Sequence, residues 1–367
     1  MNRQDVRLRS SRLQQRGLSI MELMISIAIG MIVLTGISLL FVSSSSSTRE
    51  LVKSAQQLEN GRFAIETLRQ ELMHAGFYGQ FASLPAAPAA VPDPCDVSSA
   101  TTLYNATPIA VQIIDGTGTR PSCIPSADYV AGTDILVVRR ASTQVVPVGT
   151  ATTSGEIYIQ ANPVAAEIQT GNGSTMTTTS TAAGAAATIL NRDSTAAPIR
   201  KYSVVIYYVA PCSVPAGGGT TCTGASDDRG KPVPSLKRRY LTVSGGAATM
   251  VAEAIVEGIQ NLQIEVGIDD TPTTVGTLTG YPGDGSADRF SACSSSGPCT
   301  VTDLSNIVGA RVYVLARNTE TTTGYTDTKT YSLGSLASAV VAPGDSYKRH
   351  VYSTEVRIVN MSGRRES

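Results

Sequence analysis

Residues 18–42 form an apolar stretch of 25 residues that contains one charged side chain, Glu22. As a helix rising ~1.5 Å per residue it would be ~37 Å long, enough to cross a ~30 Å hydrocarbon layer. Five Arg and a single acid, Asp5, lie among residues 1–17. Positive charge on this side predicts that the N-terminus stays in the cytoplasm and that the chain after Val42 lies outside the inner membrane.

A plain anchor or a secretory signal would share this apolar stretch, but two details disfavour both. No Ala-x-Ala cleavage site follows Val42, where the chain runs into Ser43–Ser47. Glu22 lies inside the stretch, and a carboxylate at membrane depth costs roughly 2.5 kcal/mol or more. A residue this unfavourable indicates a specific role.

Gly17-Leu18-Ser19-Ile20-Met21-Glu22 at the head of an apolar helix resembles the class III signal of type IV prepilins. The resemblance implies that prepilin peptidase removes residues 1–17 by cutting between Gly17 and Leu18, and that Leu18 becomes N-methylated. The family usually has Phe where this chain has Leu18. An α-amine exposed at Leu18 would be cationic near neutral pH, so we expect Glu22 to pair with an N-terminal amine during assembly.

Helical periodicity continues after the serine run, and no Pro occurs before Pro85. We expect one helix to Gly76, with a transmembrane or filament-core half over residues 18–42 and an amphipathic half over residues 43–76. The expected apolar stripe is Leu51, Ala55, Leu58, Ile65, Leu68 and Leu72. His74 is interpreted as a capping or surface residue.

Residues 77–367 are predicted to form a β-rich periplasmic head, because segments rich in Val, Ile and Tyr alternate with Gly/Pro/Ser/Thr stretches. The predicted strands are Asp134–Arg139, Glu156–Gln160, Ser203–Val209, Arg239–Val243, Asn261–Ile268, Val308–Ala316 and Val351–Val359. The fold class is α+β, a type IV pilin-like layout in which the long N-terminal helix packs on an antiparallel head.

Three head segments resemble the pilus-assembly protein W family: Gly132–Arg139, Val256–Ile264 and Lys348–Tyr352. The runs Gly61–Ala64 and Leu72–Gly79 fit the same family. Minor pseudopilins of type II secretion share the helix and the second of the head segments, so that system remains an alternative.

The six Cys all follow the membrane segment, in the compartment where disulfides form. Six Cys allow fifteen pairings, and proximity in sequence favours Cys95–Cys123, Cys212–Cys222 and Cys293–Cys299. A Cys metal site is disfavoured because the chain has no Cys-x-x-Cys and no His near a Cys pair.

Other site classes find little support. Asp284, Ser286 and Asp288 are spaced as oxygen ligands for Ca²⁺, but the loop departs from the EF-hand pattern and a solvated turn is the better interpretation.

The two basic runs, Lys237-Arg238-Arg239 and Lys348-Arg349-His350, are short, and the chain has 29 basic and 29 acidic side chains. Nucleic acid is therefore disfavoured as a partner. The sequence has no G-x-S-x-G, HExxH or GxGxxG motif, and we expect neither catalysis, a cofactor nor a small-molecule substrate.

The resemblance implies a minor type IV pilin that takes part in pilus assembly, with other minor and major pilins, prepilin peptidase and the inner-membrane assembly platform as partners. About 290 residues after the helix exceed what a filament lattice needs, which favours a tip or initiation complex. The alternatives are a type II secretion pseudopilin and a membrane-tethered tip adhesin or DNA-binding module. Without residues 1–17 the chain has 24 basic and 28 acidic side chains, a net charge of −4.

Overall fold

The fold is described from a computed structural model. The structure describes residues 17, 19–147, 149–175, 189–270, 272–275, 278–335, 340–341 and 343–366. Residues 1–16 of the expected leader, and Leu18, lie outside the described residues. The chain divides into two compact units, one up to Val52 and one from Lys53.

The first helix, α1, runs from Ile20 to His74. It continues through the serine run, where hydroxyls bond to carbonyls one turn back, from Thr48 to Ser44 O at 2.9 Å for example. It stops before Gly76, whose φ of +71° is the left-handed conformation that ends many helices. A single long N-terminal helix was predicted from the sequence and is confirmed.

The rest of the described chain is mostly β-structure with short helices. In chain order the helices are α2 (Ala100–Asn105), α3 (Asp227–Gly230, a single turn), α4 (Val301–Ser305) and α5 (Val359–Arg365). The strands are β1 (Val111–Ile114), β2 (Ile135–Val146), β3 (Ile157–Ala161), β4 (Ala166–Thr170), β5 (Ile199–Ala210), β6 (Ser235–Ser244), β7 (Ala247–Glu257), β8 (Ile259–Ile268), β9 (Pro272–Val275), β10 (Leu278–Pro282), β11 (Arg289–Ser291), β12 (Ile307–Arg317), β13 (Thr330–Tyr331), β14 (Val340–Val341) and β15 (Arg349–Arg357).

Two large sheets build most of the head, and β9 with β10 and β13 with β14 form two further two-stranded sheets among the described residues. Every strand pair among these residues is antiparallel. The larger sheet has seven strands in the order β1-β2-β5-β3-β4, with β6 on the remaining length of β5 and β7 on β6. The smaller sheet has the order β11-β8-β12-β15. The α+β class is therefore confirmed.

The C-terminal part of α1 shares one hydrophobic core with both sheets. Ala64, Leu68 and Leu72 are fully buried among Val205 and Tyr207 of β5, Val312 and Val314 of β12 and other strand residues. The opposite face of the seven-stranded sheet packs on a second core, which includes Tyr78, Phe81 and Leu103. The C-terminal part of α1 is therefore an integral part of the head.

Three features of the head differ from the sequence prediction. Eight strands were not predicted, namely β1, β4, β7, β9, β10, β11, β13 and β14. The last strand ends at Arg357, whereas the prediction extended to Val359. Val359–Arg365 is instead a helix, α5. Its residues Met361 and Ser362 are buried, so the chain turns back onto the core there.

Candidate functional site

The N-terminal part of α1 presents a wholly apolar surface. Its large side chains are exposed on every side, from Ile20 at 79% to Leu40 at 73%. It is the one helix in the described part of the chain that is long and apolar enough to cross a membrane. A helix that is apolar all round is stable only inside a membrane or a protein bundle.

Glu22 lies in the first turn of this helix. A carboxylate is favourable there, because the unpaired backbone N–H groups give the helix start a partial positive charge. Ser26 Oγ donates to the Glu22 carbonyl at 2.7 Å, which uses the backbone and leaves the carboxylate exposed. Gly17 is exposed just before the helix.

The helix face that meets the head differs from the stripe predicted from Leu spacing. Leu51 and Leu58 are exposed, whereas Gln57 and Gly61 are buried. Gln57 Nε2 donates to Ala316 O at 2.9 Å and to Lys348 O at 3.0 Å. These bonds and the missing side chain at Gly61 let the helix approach the sheet closely, which a count of apolar residues does not reveal.

The end of α1 is held by α5. Asn360 Nδ2 donates to Met73 O and Ala75 O, at 3.3 and 3.1 Å. Arg364 Nη2 donates to Gly76 O at 2.9 Å and to Phe81 O at 3.0 Å. Side chains from a distant part of the sequence thus satisfy carbonyls that a helix end leaves without partners. His74, nearby, is exposed and its Nδ1 lies 2.7 Å from Gln70 O.

Asp134 joins two of the segments that resemble the pilus-assembly family. Its backbone N–H donates to Leu262 O at 2.8 Å, and its carboxylate accepts from Ile264 N at 2.8 Å and Gly116 N at 3.0 Å. Burial raises the pKa of Asp134 to about 7, although these two N–H groups oppose the rise. The segments Gly132–Arg139 and Val256–Ile264 therefore form one structural unit, the junction of the two sheets.

The six cysteines form three disulfides in the structure, Cys95–Cys123, Cys212–Cys222 and Cys293–Cys299. The bond Cys212–Cys222 closes a loop that also depends on Asp227. The carboxylate of Asp227 accepts hydrogen bonds from Ala216, Thr223 and Gly224. These bonds hold the pKa of Asp227 below its ordinary value, against its burial.

Three of the six residues in the two basic runs, Lys237, Arg239 and Arg349, are buried in the head. Lys237 Nζ lies 2.7 Å from Asp128 Oδ1, with both side chains almost fully buried. Arg349 is equally buried and pairs with Asp327 at 2.9 Å and Asp345 at 2.6 Å. Arg238 forms an ion pair with Glu253. These cations neutralise acids of the same chain, which leaves little charge for phosphate contacts.

One cluster has the spacing of metal ligands, and its chemistry does not fit a metal. Among the described residues Asp128, Cys212 and Cys222 bring three ligand atoms within 4.8 Å of one another. Both sulfurs are in a disulfide, and the Lys237 ammonium already contacts the carboxylate. Metal coordination requires thiolates and a free carboxylate.

The calcium candidate is a hydrogen-bonded turn. Asp284 Oδ1 accepts from Ser286 N at 2.8 Å, and Asp288 Oδ2 accepts from Asp270 N at 2.8 Å. The Arg289 guanidinium pairs with Asp270 and Asp303, so a cation already sits beside this loop. Asp284 and Asp288 therefore act as acceptors of backbone hydrogen bonds, and Ser286 takes part through its own N–H.

Comparison with known families gives two matches. Residues 219–360 match the family described as type IV pilus-assembly protein W, and residues 12–38 match the prokaryotic N-terminal methylation motif. No curated protein and no solved structure gives a match. The first match covers the smaller sheet with β6 and β7, and the second covers Gly17, Glu22 and the apolar part of α1. The chain thus combines a prepilin-type methylation motif at its N-terminus with a C-terminal part that is similar to the type IV pilus-assembly protein W family.

Proposed function

We propose that this minor pilin primes pilus assembly from a tip or initiation complex. The observation that supports this proposal most is the methylation motif on an exposed apolar helix, which is followed by a head of about 290 residues. The helix supports membrane anchoring and entry into a helical bundle. A head this large favours a terminal position, because a repeated shaft subunit has to pack against copies on all sides.

Processing follows the matched motif. Prepilin peptidase would cut between Gly17 and Leu18, leaving Leu18 as the methylated residue and Glu22 as the fifth residue of the mature chain. The N-terminus would face the cytoplasm before processing and the head the periplasm. Intact mass of the mature chain tests this directly: it should correspond to residues 18–367 plus one methyl group, and an uncut chain would contradict it.

Glu22 is the residue we assign to recruitment. In an apolar bundle its carboxylate needs a cation, and the α-amine of its own chain or a neighbouring subunit supplies one. Replacing Glu22 with Ala should lower incorporation into pili. The matched change Glu66→Ala should not, because Glu66 is a partly exposed acid of α1 whose ion pair with Arg69 lies within one turn of the same helix. Unchanged incorporation of the Glu22 variant would refute the assignment.

The priming role is tested by deleting the gene and counting pili by electron microscopy. We expect few or no pili, restored by the full chain. Normal pili together with a secretion defect would favour the type II secretion alternative. The tip adhesin or DNA-binding alternative has less support, because Lys237, Arg239 and Arg349 are buried.

A further inference from the structure

Strand β7 is an unusually open edge of the seven-stranded sheet. It has eleven residues and, within the described part of the chain, pairs with β6 alone. Its only charged residues are Glu253 and Glu257. The other edge strands of the two large sheets are short or carry several charged or basic residues. Strands β1, β4 and β11 have three to five residues, and β15 carries Arg349, His350, Glu355 and Arg357. A long edge with little charge is a template for another strand.

The register shows which backbone groups face outward. A two-residue turn at Gly245 and Gly246, both with positive φ, joins β6 to β7 and pairs Ser244 with Ala247. Pairing alternates along an antiparallel ladder. It follows that Ala248, Met250, Ala252 and Ala254 direct their N–H and C=O groups away from β6.

Two of the strand's carbonyls already have side-chain donors. Met250 O accepts from Arg239 Nη1 at 3.3 Å, and Glu257 O accepts from Asn60 Nδ2 at 3.0 Å. Between them lie Ala252 and Ala254, whose outward backbone groups have no partner in the described part of the chain. This central part of β7 is where an added strand would bond.

A groove of about 320 Å³ lies beside this edge, between β7 and α1. Phe63, which is 55% exposed, and Ile255 supply its apolar surface. Glu59 and Glu257 also line it, and neither carboxylate has an ion pair among the described residues. The groove therefore suits a segment that combines apolar and basic side chains.

We propose that β7 receives an extended, basic β-segment from a different subunit of the pilus, which adds as the eighth strand of the sheet. The two carboxylates argue for that occupant and against a second copy of this chain, whose own β7 edge carries acidic residues only. Backbone pairing along β7 would supply the affinity and the groove the specificity. This inference rests on the proposed function, since it assumes partners in the pilus.

A photo-crosslinking amino acid, p-benzoylphenylalanine, placed at Ala254 of the full chain in piliated cells tests the contact. We expect a crosslink, mapped by mass spectrometry, to an extended segment of another pilus subunit. The matched probe at Thr354 on the β15 edge should not give it. A crosslink to a second copy, a crosslink to a helical segment, or no crosslink would each overturn the proposal.

Two further variants separate strand pairing from proximity. Ala252→Pro removes an outward N–H and should lower the yield at least about tenfold, or ~1.4 kcal/mol, whereas Ala252→Val keeps the N–H and the crosslink. Glu257→Lys leaves the backbone intact and should also lower the yield, which covers the case that the Pro variant misfolds. Yields unchanged in both would overturn the proposal. Pilus counts of the gene deletion report on the priming role separately.

Discussion

The buried pair between Lys237 and Asp128 allows a quantitative test of the head. The Asp128 side chain is fully buried and that of Lys237 is 3% exposed, with 2.7 Å between Nζ and Oδ1. Asp128 Oδ2 also accepts from the Tyr208 hydroxyl at 2.6 Å, and burial together with this bond raises the pKa of Tyr208. The Lys237→Met change removes the cation and keeps most of the side-chain volume, so it isolates the loss of charge.

Breaking a buried pair by removing one partner costs about 3–5 kcal/mol, because the other charge stays in the interior without compensation. Asp128 keeps its bonds to Tyr208 and to Cys222 N, so we expect the lower end, ~3 kcal/mol. With a urea slope of ~1–3 kcal/mol per molar, the unfolding midpoint should fall by about 1 M or more.

The assay is urea unfolding of the full chain in mild detergent, followed by circular dichroism of the head with its disulfides intact. The matched control is Lys201→Met, since Lys201 forms an exposed pair with Glu156 at 2.6 Å and exposed pairs contribute at most about 1 kcal/mol. If Lys237→Met costs no more than Lys201→Met, the reasoning is wrong.

A double variant gives a second check. The double change Asp128→Asn with Lys237→Met should cost less than Lys237→Met alone, because it also removes the buried charge that would be left without a partner.

Three more outcomes are expected. Burial raises the pKa of Asp134 to about 7, so the contribution of Asp134 to stability is greatest below pH ~4 and falls as pH rises to 7. Urea midpoints measured across this pH range should show that fall in the unchanged chain and not in the Asp134→Ala variant. Gly61→Ala would place a Cβ in steric overlap with the Tyr352 ring and should cost roughly 1–3 kcal/mol by the same urea assay. A second change, Tyr352→Ala, should cancel part of this cost, and strict additivity of the two changes would contradict the contact. Arg364→Ala should destabilise the end of α1, measurable as faster amide exchange near Gly76, whereas Arg192→Ala should have no effect there.

The sequence predicts the long helix and the main strands because local periodicity carries that information. It does not predict β7, whose four alanines at 247, 248, 252 and 254 have low strand propensity. That strand forms because β6 pairs with it along ten residue pairs. Propensity is overridden here by tertiary pairing.

The same limit applies to the helix face and to the basic runs. Gln57 is buried because two carbonyls of the head accept its amide protons. The residues around Gln57 in the sequence do not predict those partners. From sequence alone, Lys237 and Arg349 would be expected on the surface. The fold buries them because it places Asp128 and Asp327 beside them as ion-pair partners. The methylation motif, in contrast, is recognisable from sequence because it is a short run of adjacent residues that needs no partner from elsewhere in the fold.

The contact between α5 and the end of α1 also sets an order of events. Asn360 caps the Ala75 carbonyl across 285 residues of sequence, so this bond cannot form until residue 360 has been synthesised. Until then the C-terminal end of α1 lacks this cap. A chain stalled before residue 360 would leave that carbonyl open to water, which distinguishes a finished head from an unfinished one at the point where α1 ends.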